Sequence, residues 1–315
     1  MKSIGPYNVS DLPVFNNKVY HLDLNPEEIA KNIIIVGDPE RVPFIAEEFL
    51  STCEVDRSHR GLRTITGTSR ETGQRVSLTT SGMGTPSLEI VLNELVALNE
   101  IDFSTLTRKA KFEPLSIIRV GTSGGLQHDT PLGTLIVTDY SVGLDNTGLF
   151  YSPARHDKHC ELLEERVRKI IDAATALKSR FRGKIFPYVA RANPEMTAKM
   201  EREAETLRVR YKKGITVSNS GFFANQGRDI SRVPLTVPDI DSLLATLDTG
   251  ISDLRVENME MEASFLLHFM DGLGYRAGVI CTVIDNRQED LFAEHYTHYI
   301  KDAVRVALRT FHSPK

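Results

Sequence analysis

Three glycine-rich turns in the sequence carry side chains that could bind an anion. The first contains Gly37 and Arg41, the second is the segment 81–84 (SGMG), and the third joins Arg119 to residues 121–125 (GTSGG). Glycines leave backbone N–H groups accessible, and the planar arginine fork matches the oxygens of a phosphate group. Any one of these turns, taken alone, is better explained as an ordinary tight turn, because none is a P-loop or a dinucleotide fingerprint. Together they suggest phosphate chemistry.

An acidic segment later in the chain suggests a second kind of binding. Residues 256–263 read VENMEMEA and precede an apolar helical stretch. An ionised carboxylate such as Glu262 accepts two hydrogen bonds at once and could bind paired sugar hydroxyls. The equal alternative is a helix N-terminus enriched in acids by the helix dipole.

Short apolar runs alternate with amphipathic stretches over most of the chain. The strands and helices that this pattern predicts must position the side chains of the glycine-rich turns and of the acidic segment. The pattern indicates an α/β fold with a largely parallel sheet, in which ligands bind at the carboxyl ends of the strands. The predicted strands are 32–37, 75–80, 116–121, 134–143, 188–192, 214–218 and 276–284. The predicted helices are 41–50, 88–98, 161–177, 195–207, 260–271 and 292–311.

Composition excludes several classes of function. The chain has 315 residues, with 38 Lys+Arg against 42 Asp+Glu and a net charge of -4, so neither a nucleic-acid nor a membrane-binding surface is expected. No run approaches the ~20 apolar residues of a membrane helix, and the first residues lack the apolar region of a secretory signal. The three scattered cysteines form neither a disulfide framework nor a zinc pattern. We expect a cytoplasmic protein.

The motifs occur in an order that resembles one enzyme family. GDPERV, SGMGTPS, IIRVGTSGG, NMEMEAS and VIDNR follow one another as in the nucleoside phosphorylase-I family. The most specific signal is FFANQGR, from Phe222 to Arg228, which resembles the Phe-x-x-x-Gln-x-Arg uracil-recognition loop of the members that act on uridine. The resemblance implies a single 1–315 domain of three-layer α/β/α type, with a mixed, partly barrel-like central sheet.

The resemblance also implies roles for particular residues. The implied phosphate ligands are Gly37, Arg41, Arg119, Thr122 and, from a neighbouring subunit, Arg60. The implied ribose-binding residues are Met261 and Glu262, with His21 reaching across the subunit interface to the ribose 5'-hydroxyl and Tyr20 packing beside His21. The implied base-binding residues are Ser123, Gly124, Phe222, Gln226, Arg228 and Arg287. The residues expected to act in catalysis are Arg119, Gln226, Arg228 and Asp285.

The implied reaction is the reversible phosphorolysis of uridine to uracil and ribose 1-phosphate. Phosphate is a co-substrate, and no metal or organic cofactor is expected. Bacterial members bind an interface cation through a glutamate where this chain has Gly61, so no such ion is expected here. A homodimer is the smallest expected active unit, with a hexamer as the alternative. Residues 1–31 are expected at the subunit interface, and residues 99–114 are a basic, irregular insertion.

Alternative functions stay open on the sequence alone, and the first of them is a purine or broad-specificity nucleoside phosphorylase. Asp285 stands where uridine-specific members usually have an apolar residue and where hexameric purine-specific members have a base-protonating aspartate. It could protonate a purine, or it could pair with Arg228 or Arg287 and only position them. A hydrolytic nucleosidase would not need Arg41, Arg60 and Arg119. A nucleoside-binding protein without catalysis is the third function class, after the phosphorolytic enzyme and the hydrolytic nucleosidase.

Overall fold

The computed structural model describes residues 5–153 and 157–312, so residues 1–4 of the predicted interface segment lie outside it. Contacts between Cα atoms divide the chain into two compact units. Among the described residues, the first comprises 5–118 and 311–312, and the second comprises 119–153 and 157–310.

The first unit contains a sheet with the strand order β3-β6-β5-β4, preceded by a short hairpin. Its elements are β1 (Val14–Phe15), β2 (Lys18–Val19), a 3-10 helix (Pro26–Glu28), β3 (Asn32–Val36), α1 (Arg41–Phe49), β4 (Val55–His59), β5 (Leu62–Thr68), β6 (Arg75–Thr80), α2 (Thr85–Glu100), β7 (Ile101–Asp102) and β8 (Thr107–Arg108). Strand β3 runs parallel to β6, and the β6–β5 and β5–β4 pairs are antiparallel. Residues 33–36 of β3 are apolar, β-branched and fully buried, which favours a central strand.

The predicted insertion at 99–114 is only partly irregular. Its first two residues complete α2, and β7 pairs with β8 in a short antiparallel hairpin. The backbone N–H of Tyr7 donates to the carbonyl oxygen of Leu106 at 2.9 Å. Arg108 donates to the Tyr7 hydroxyl at 3.1 Å. The hairpin therefore holds the N-terminal segment of the same unit.

The second unit is built on a closed ring of strands. Its elements are β9 (Ser116–Gly125), which begins in the first unit, β10 (Leu135–Leu144), a 3-10 helix (Gly148–Phe150), α3 (Lys158–Ala174), β11 (Tyr188–Arg191), α4 (Pro194–Leu207), β12 (Tyr211–Asn219), a 3-10 helix (Ala224–Gln226), α5 (Ile240–Ala245), β13 (Val256–Glu260), α6 (Ala263–Leu273), β14 (Arg276–Asn286), β15 (Leu291–Phe292) and α7 (Thr297–Phe311).

Five strands close this ring in the order β14-β10-β12-β13-β9, because β9 also pairs with β14. Strand β12 is parallel to both β10 and β13, whereas β13–β9 and β10–β14 are antiparallel. Helices α3, α4 and α6 pack against these strands. The prediction of an α/β fold with a mixed, partly barrel-like sheet is confirmed, and the largely parallel sheet expected from the strand–helix alternation is wrong.

Two predicted helices begin later than expected, and eight of the strands among the described residues were not predicted, namely β1, β2, β4, β5, β7, β8, β13 and β15. The acidic segment 256–260 is the buried strand β13, so α6 starts at Ala263 instead of residue 260. Residues 291–292 pair with the end of β14, so α7 starts at Thr297. Strands β4 and β5 follow no sufficiently regular apolar pattern. No helix among residues 5–153 and 157–312 is long and apolar enough to cross a membrane.

Candidate active site

The guanidinium of Arg119 lies within a buried charge cluster of the second unit. The side chain is 4% exposed. Its Nε donates a hydrogen bond to Oε2 of Glu260 at 3.0 Å, and its Nη2 donates to the carboxylate of Glu262. Burial disfavours the charged form, but the Glu262 and Glu260 carboxylates outweigh it and raise the pKa of Arg119 above its ordinary value. Arg119 is therefore a permanent cation with a fixed orientation.

The third guanidinium nitrogen of Arg119, Nη1, indicates that this site binds a ligand. Nη1 is buried and makes no hydrogen bond to any residue in the part of the chain that the structure describes. Leaving a buried donor without an acceptor costs about 1–3 kcal/mol, so such groups are normally satisfied by water or a ligand. The half-buried Thr122 follows on the same strand, β9. An oxyanion at Nη1 would supply the acceptor that this donor needs.

Glu260 is a structural support that the sequence interpretation did not assign. Its carboxylate accepts hydrogen bonds from the Ser218 hydroxyl and from the backbone N–H groups of Glu262 (2.9 Å) and Ala263 (2.9 Å and 3.0 Å). It therefore fixes the start of α6 and the orientation of Arg119 together. The sequence does not indicate this role of Glu260, because its acidic segment is typical of a helix N-terminus.

Glu262 and Met261 lie at that helix start. Glu262 is the N-cap residue of α6 and is 3% exposed, and Met261 before it is half-buried. The ion pair between Glu262 and Arg119 brings the residue predicted to bind ribose hydroxyls beside the residue predicted to bind phosphate. A carboxylate has accepting capacity for more than one donor, so Glu262 can hold Arg119 and a hydroxyl together.

The predicted base-recognition loop folds around Arg228. The Arg228 guanidinium lies 4.0 Å from the centre of the Phe222 ring, an arrangement that allows a cation–π interaction. Its Nη1 donates to the Phe222 carbonyl oxygen at 2.9 Å and to Oε1 of Gln226. Gly227 has φ +73°, and this left-handed turn lets the chain place Gln226 and Arg228 on the same side. Phe222 is 48% exposed, whereas Gln226 is 4% exposed.

Asp285 completes this cluster from β14. Its Oδ2 accepts a hydrogen bond from Nη2 of Arg228 at 3.0 Å. Burial raises the pKa of Asp285, although Arg228 and Arg287 oppose the shift. Burial likewise lowers the pKa of Arg228, and Asp285 opposes that shift. A Cβ added to Gly124 would lie 3.0 Å from Oδ2 of Asp285, so glycine there lets β9 approach the carboxylate. Of the two sequence alternatives for Asp285, the geometry is that of a partner of Arg228.

Arg287 contacts the backbone of the same loop. Its guanidinium donates to the carbonyl oxygens of Gln226 and, at 3.2 Å, of Gly227. Asp241 of α5 forms an ion pair with Arg287 at 3.2 Å. Both residues thus hold the loop, and Asp241 is a further support that no sequence motif indicated.

Ser123 lies on β9, one of the strands of the closed ring. It is 5% exposed, and its hydroxyl accepts a hydrogen bond from Nδ2 of Asn258 at 2.8 Å. Oδ1 of Asn258 in turn accepts from the Thr216 hydroxyl at 2.8 Å. Asn258 was not assigned from sequence, since buried amide partners leave no local pattern.

The remaining predicted phosphate ligands of the first unit lie at the end of β3. Gly37 directly follows this strand, and a Cβ there would lie 3.4 Å from the carbonyl oxygen of Gly82. Arg41 is the first residue of α1, with Nε 3.7 Å from Oδ2 of Asp38. The strand and the helix thus fix the positions of both residues within this unit.

The residues predicted to serve a neighbouring subunit lie together in the first unit. The Tyr20 and His21 rings are 4.9 Å apart. The Arg60 guanidinium lies 5.4 Å from the centre of the Tyr20 ring and donates to its hydroxyl at 3.3 Å. Arg60 and Gly61 both have positive φ, +52° and +79°, in the two-residue turn between β4 and β5. The turn and the Tyr20 contacts therefore hold the Arg60 side chain in place, and Arg60, Tyr20 and His21 form one group.

The fold is that of a nucleoside phosphorylase-type pentosyltransferase. The family model described as "Phosphorylase superfamily" matches residues 31–312. The chain belongs to the phosphorylase superfamily.

Individual relatives show which members the chain resembles. A uridine phosphorylase of Thermococcus kodakarensis is 31% identical over 275 residues, covering 87% of this chain and 80% of the relative. A DeoD-type purine nucleoside phosphorylase of Exiguobacterium is 35% identical over 117 residues, covering 37% of this chain and 43% of that protein. A Trypanosoma brucei nucleoside phosphorylase, whose crystal structure is described as showing uridine phosphorylase activity, superposes with a TM-score of 0.84 at 31% identity, covering 95% of this chain and 99% of its own. The predicted family, fold and enzyme class are confirmed.

Proposed function

We propose that the protein is a uridine phosphorylase. Phosphate attacks C1' of the ribose while the bond from C1' to the base breaks, and uracil leaves with the bonding electron pair. The observation that carries the proposal is the Phe222–Gln226–Arg228 cluster, because its amide and guanidinium donors suit the carbonyl-rich edge of uracil. The Thermococcus kodakarensis relative and the Trypanosoma brucei structure support the same base.

Arg119 has the properties that the attacking phosphate requires. It is a buried cation whose orientation is fixed by Glu260 and Glu262, and its Nη1 makes no hydrogen bond to the described residues. A fixed cation holds the nucleophile close to C1' without reorganisation during the reaction. We propose Thr122 as a phosphate ligand beside it, and Gly37 and Arg41 retain the phosphate-binding roles that the sequence predicts.

The base cluster has the properties that the leaving group requires. Negative charge accumulates on uracil as the glycosidic bond breaks, so donors from Gln226 and Arg228 stabilise the transition state more than the bound substrate. In this proposal Asp285 positions Arg228 and does not donate a proton to the base. Glu262 binds the ribose hydroxyls with Met261 packed beneath the sugar. The reaction as proposed needs no cofactor besides the co-substrate phosphate.

A purine nucleoside is the second candidate substrate. It is favoured by the buried Asp285, whose raised pKa suits a group that passes a proton to a base. The experiment is base release from uridine and from inosine, each with and without inorganic phosphate. Phosphate-dependent uracil release with inert inosine supports the proposal, and comparable or faster inosine cleavage contradicts the base assignment. Release that ignores phosphate would identify a hydrolytic nucleosidase.

We also propose that the active unit is a homodimer in which His21 and Arg60 serve the neighbouring subunit's site. The test mixes two inactive variants, Arg60→Ala and Glu262→Ala, after reversible dissociation. In a mixed dimer one site receives both changes and the other receives none, so random pairing restores about a quarter of wild-type sites. Activity that stays at the level of the separate variants contradicts the proposal.

A further inference from the structure

Glu94, on the buried side of α2, makes three contacts to one short piece of chain. Its Oε1 accepts from the backbone N–H of His21 at 2.8 Å and contacts Nδ1 of the His21 ring at 2.7 Å. Its Oε2 accepts from the backbone N–H of Leu22 at 2.8 Å. Glu94 is 7% exposed, whereas the His21 side chain keeps 28% of its surface exposed. A buried carboxylate therefore fixes both the backbone and the ring of a partly exposed histidine.

These contacts determine which ring nitrogen of His21 carries the hydrogen. Both oxygens of Glu94 already accept from backbone N–H groups, so the ring contact is also made to an accepting oxygen. Nδ1 must then be the donor, and in a neutral imidazole this leaves Nε2 as a hydrogen-bond acceptor. Further contacts hold the same segment, since Nδ1 of His59 lies 3.2 Å from the His21 carbonyl oxygen and the Tyr20 ring packs edge-on against the imidazole.

We propose that Glu94 is a positioning residue that presents Nε2 of His21 as the acceptor for the ribose 5'-hydroxyl of the substrate. This inference rests on the proposed nucleoside phosphorolysis and on the ribose-binding role of His21. An acceptor at this point requires a hydroxyl donor on the substrate, so Glu94 makes the enzyme selective for nucleosides with a free 5'-hydroxyl. Glu94 itself touches no substrate atom.

The test compares uridine with 5'-deoxyuridine, which lacks only the hydroxyl in question. The variants are His21→Ala, Glu94→Ala, Glu94→Gln and the double variant His21→Ala/Glu94→Ala. Glu89→Gln is the matched control, because Glu89 lies on the same helix and its carboxylate contacts Asn93 at 3.0 Å. Thermal unfolding of each variant identifies any that does not fold.

We expect the ratio of kcat/KM for uridine to that for 5'-deoxyuridine to fall about tenfold in His21→Ala and in Glu94→Ala. The fall should be smaller in Glu94→Gln, whose single accepting oxygen can still serve the ring but leaves one of the three donors unpaired. The double variant should be no worse than His21→Ala, and Glu89→Gln should keep the wild-type ratio. If Glu94→Ala does not fold, the same comparison is made with Glu94→Gln. The inference would be overturned if Glu94→Ala lost kcat/KM equally on both substrates, or if the ratio were unchanged in His21→Ala.

A second readout separates this inference from the proposed function. Nitrogen-15 NMR of labelled histidine, with the His21 signal assigned by its loss in His21→Ala, should show the Nδ1–H tautomer in the wild type and its loss in Glu94→Ala. If inosine is the substrate, the ratio is measured with inosine and 5'-deoxyinosine. If no nucleoside is cleaved, the proposed function fails, and the tautomer measurement still decides whether Glu94 orients His21.

Discussion

Two arginines of the second unit bind carboxylates in contrasting surroundings. Arg119 and its partners Glu260 and Glu262 have side chains that are at most 5% exposed. Arg228 and its partner Asp285 are 17% and 15% exposed, and the neighbouring Phe222 ring is half exposed. The first cluster is anchored in strands of the closed ring, whereas the second depends on a loop with one short 3-10 helix. The difference accords with the proposed division between a buried site for the reaction common to the family and a loop that selects the base.

The contrast also appears in the direction of the pKa shifts. The pKa of Arg119 is raised because two carboxylates outweigh its burial, while the pKa of Arg228 is lowered because burial outweighs Asp285. Removing one partner of a buried charge lowers the stability of the protein strongly, whereas removing one partner of a more exposed ion pair in a loop lowers it less. The following predictions test this division between a core site and a selecting loop.

Replacing Arg119 should have the largest effect. Arg119→Ala should lower kcat/KM on the order of 1000-fold for every nucleoside substrate, because the fixed donor to phosphate is lost. It should also lower the free energy of unfolding by about 3–5 kcal/mol, since two buried carboxylates lose their partner. Steady-state kinetics and urea unfolding measure both effects. Arg119→Lys keeps the charge without the planar fork, so it should be more stable than Arg119→Ala but still have a lowered kcat/KM. A fully active lysine variant would contradict the role of the fork.

Gln226→Ala should act on the base alone. We expect uridine kcat/KM to fall about 100-fold, because one donor to the leaving base is removed. The KM for phosphate and the free energy of unfolding should change little. The check is initial-rate kinetics with each substrate varied separately. Unchanged uridine turnover would be evidence against the predicted base loop, and a large rise in phosphate KM would contradict the division of the site.

Asp285→Asn should produce a smaller, pH-dependent effect. The ionised carboxylate holds Arg228, and protonation weakens this pair. Because the pKa of Asp285 is raised, uridine kcat/KM should decline on the acid side at a higher pH than an ordinary aspartate would cause. The asparagine variant should lose that acid limb and have a plateau about tenfold lower. A pH–rate profile of both proteins tests this. A selective loss of inosine cleavage would instead make Asp285 the proton donor to a purine.

The smallest effect is expected at Asp241, whose carboxylate forms an ion pair with Arg287. Asp241→Asn should weaken the ion pair at 3.2 Å and lower uridine kcat/KM about two- to fivefold. Asp239→Asn is the control, since Asp239 is exposed and asparagine tolerates its φ of +54°. Equal effects of the two changes in parallel kinetic assays would show that Arg287 does not transmit the contact to the loop.

Regular elements of the fold could be predicted from local patterns. The apolar run at 33–36 and the helical spacing in α2 were sufficient because burial and periodicity repeat over several residues. Strand β13 was misjudged because its acidic residues are buried by partners distant in sequence, such as Ser218 and Arg119 for Glu260. The glycine turns and the FFANQGR loop were found because they are contiguous motifs.

Local sequence patterns are sufficient to assign the family, the α/β class and the order of the motifs along the chain. They also indicate Arg119, Glu262 and the Gln226–Arg228 pair, because each lies in a local pattern. Three contacts become visible in the folded chain alone: Glu260 with Arg119, Asp285 with Arg228, and Glu94 with His21. Those pairs are separated by 141, 57 and 73 residues. Hydrogen bonds between such distant groups depend on strand closure and helix packing, which no local pattern encodes.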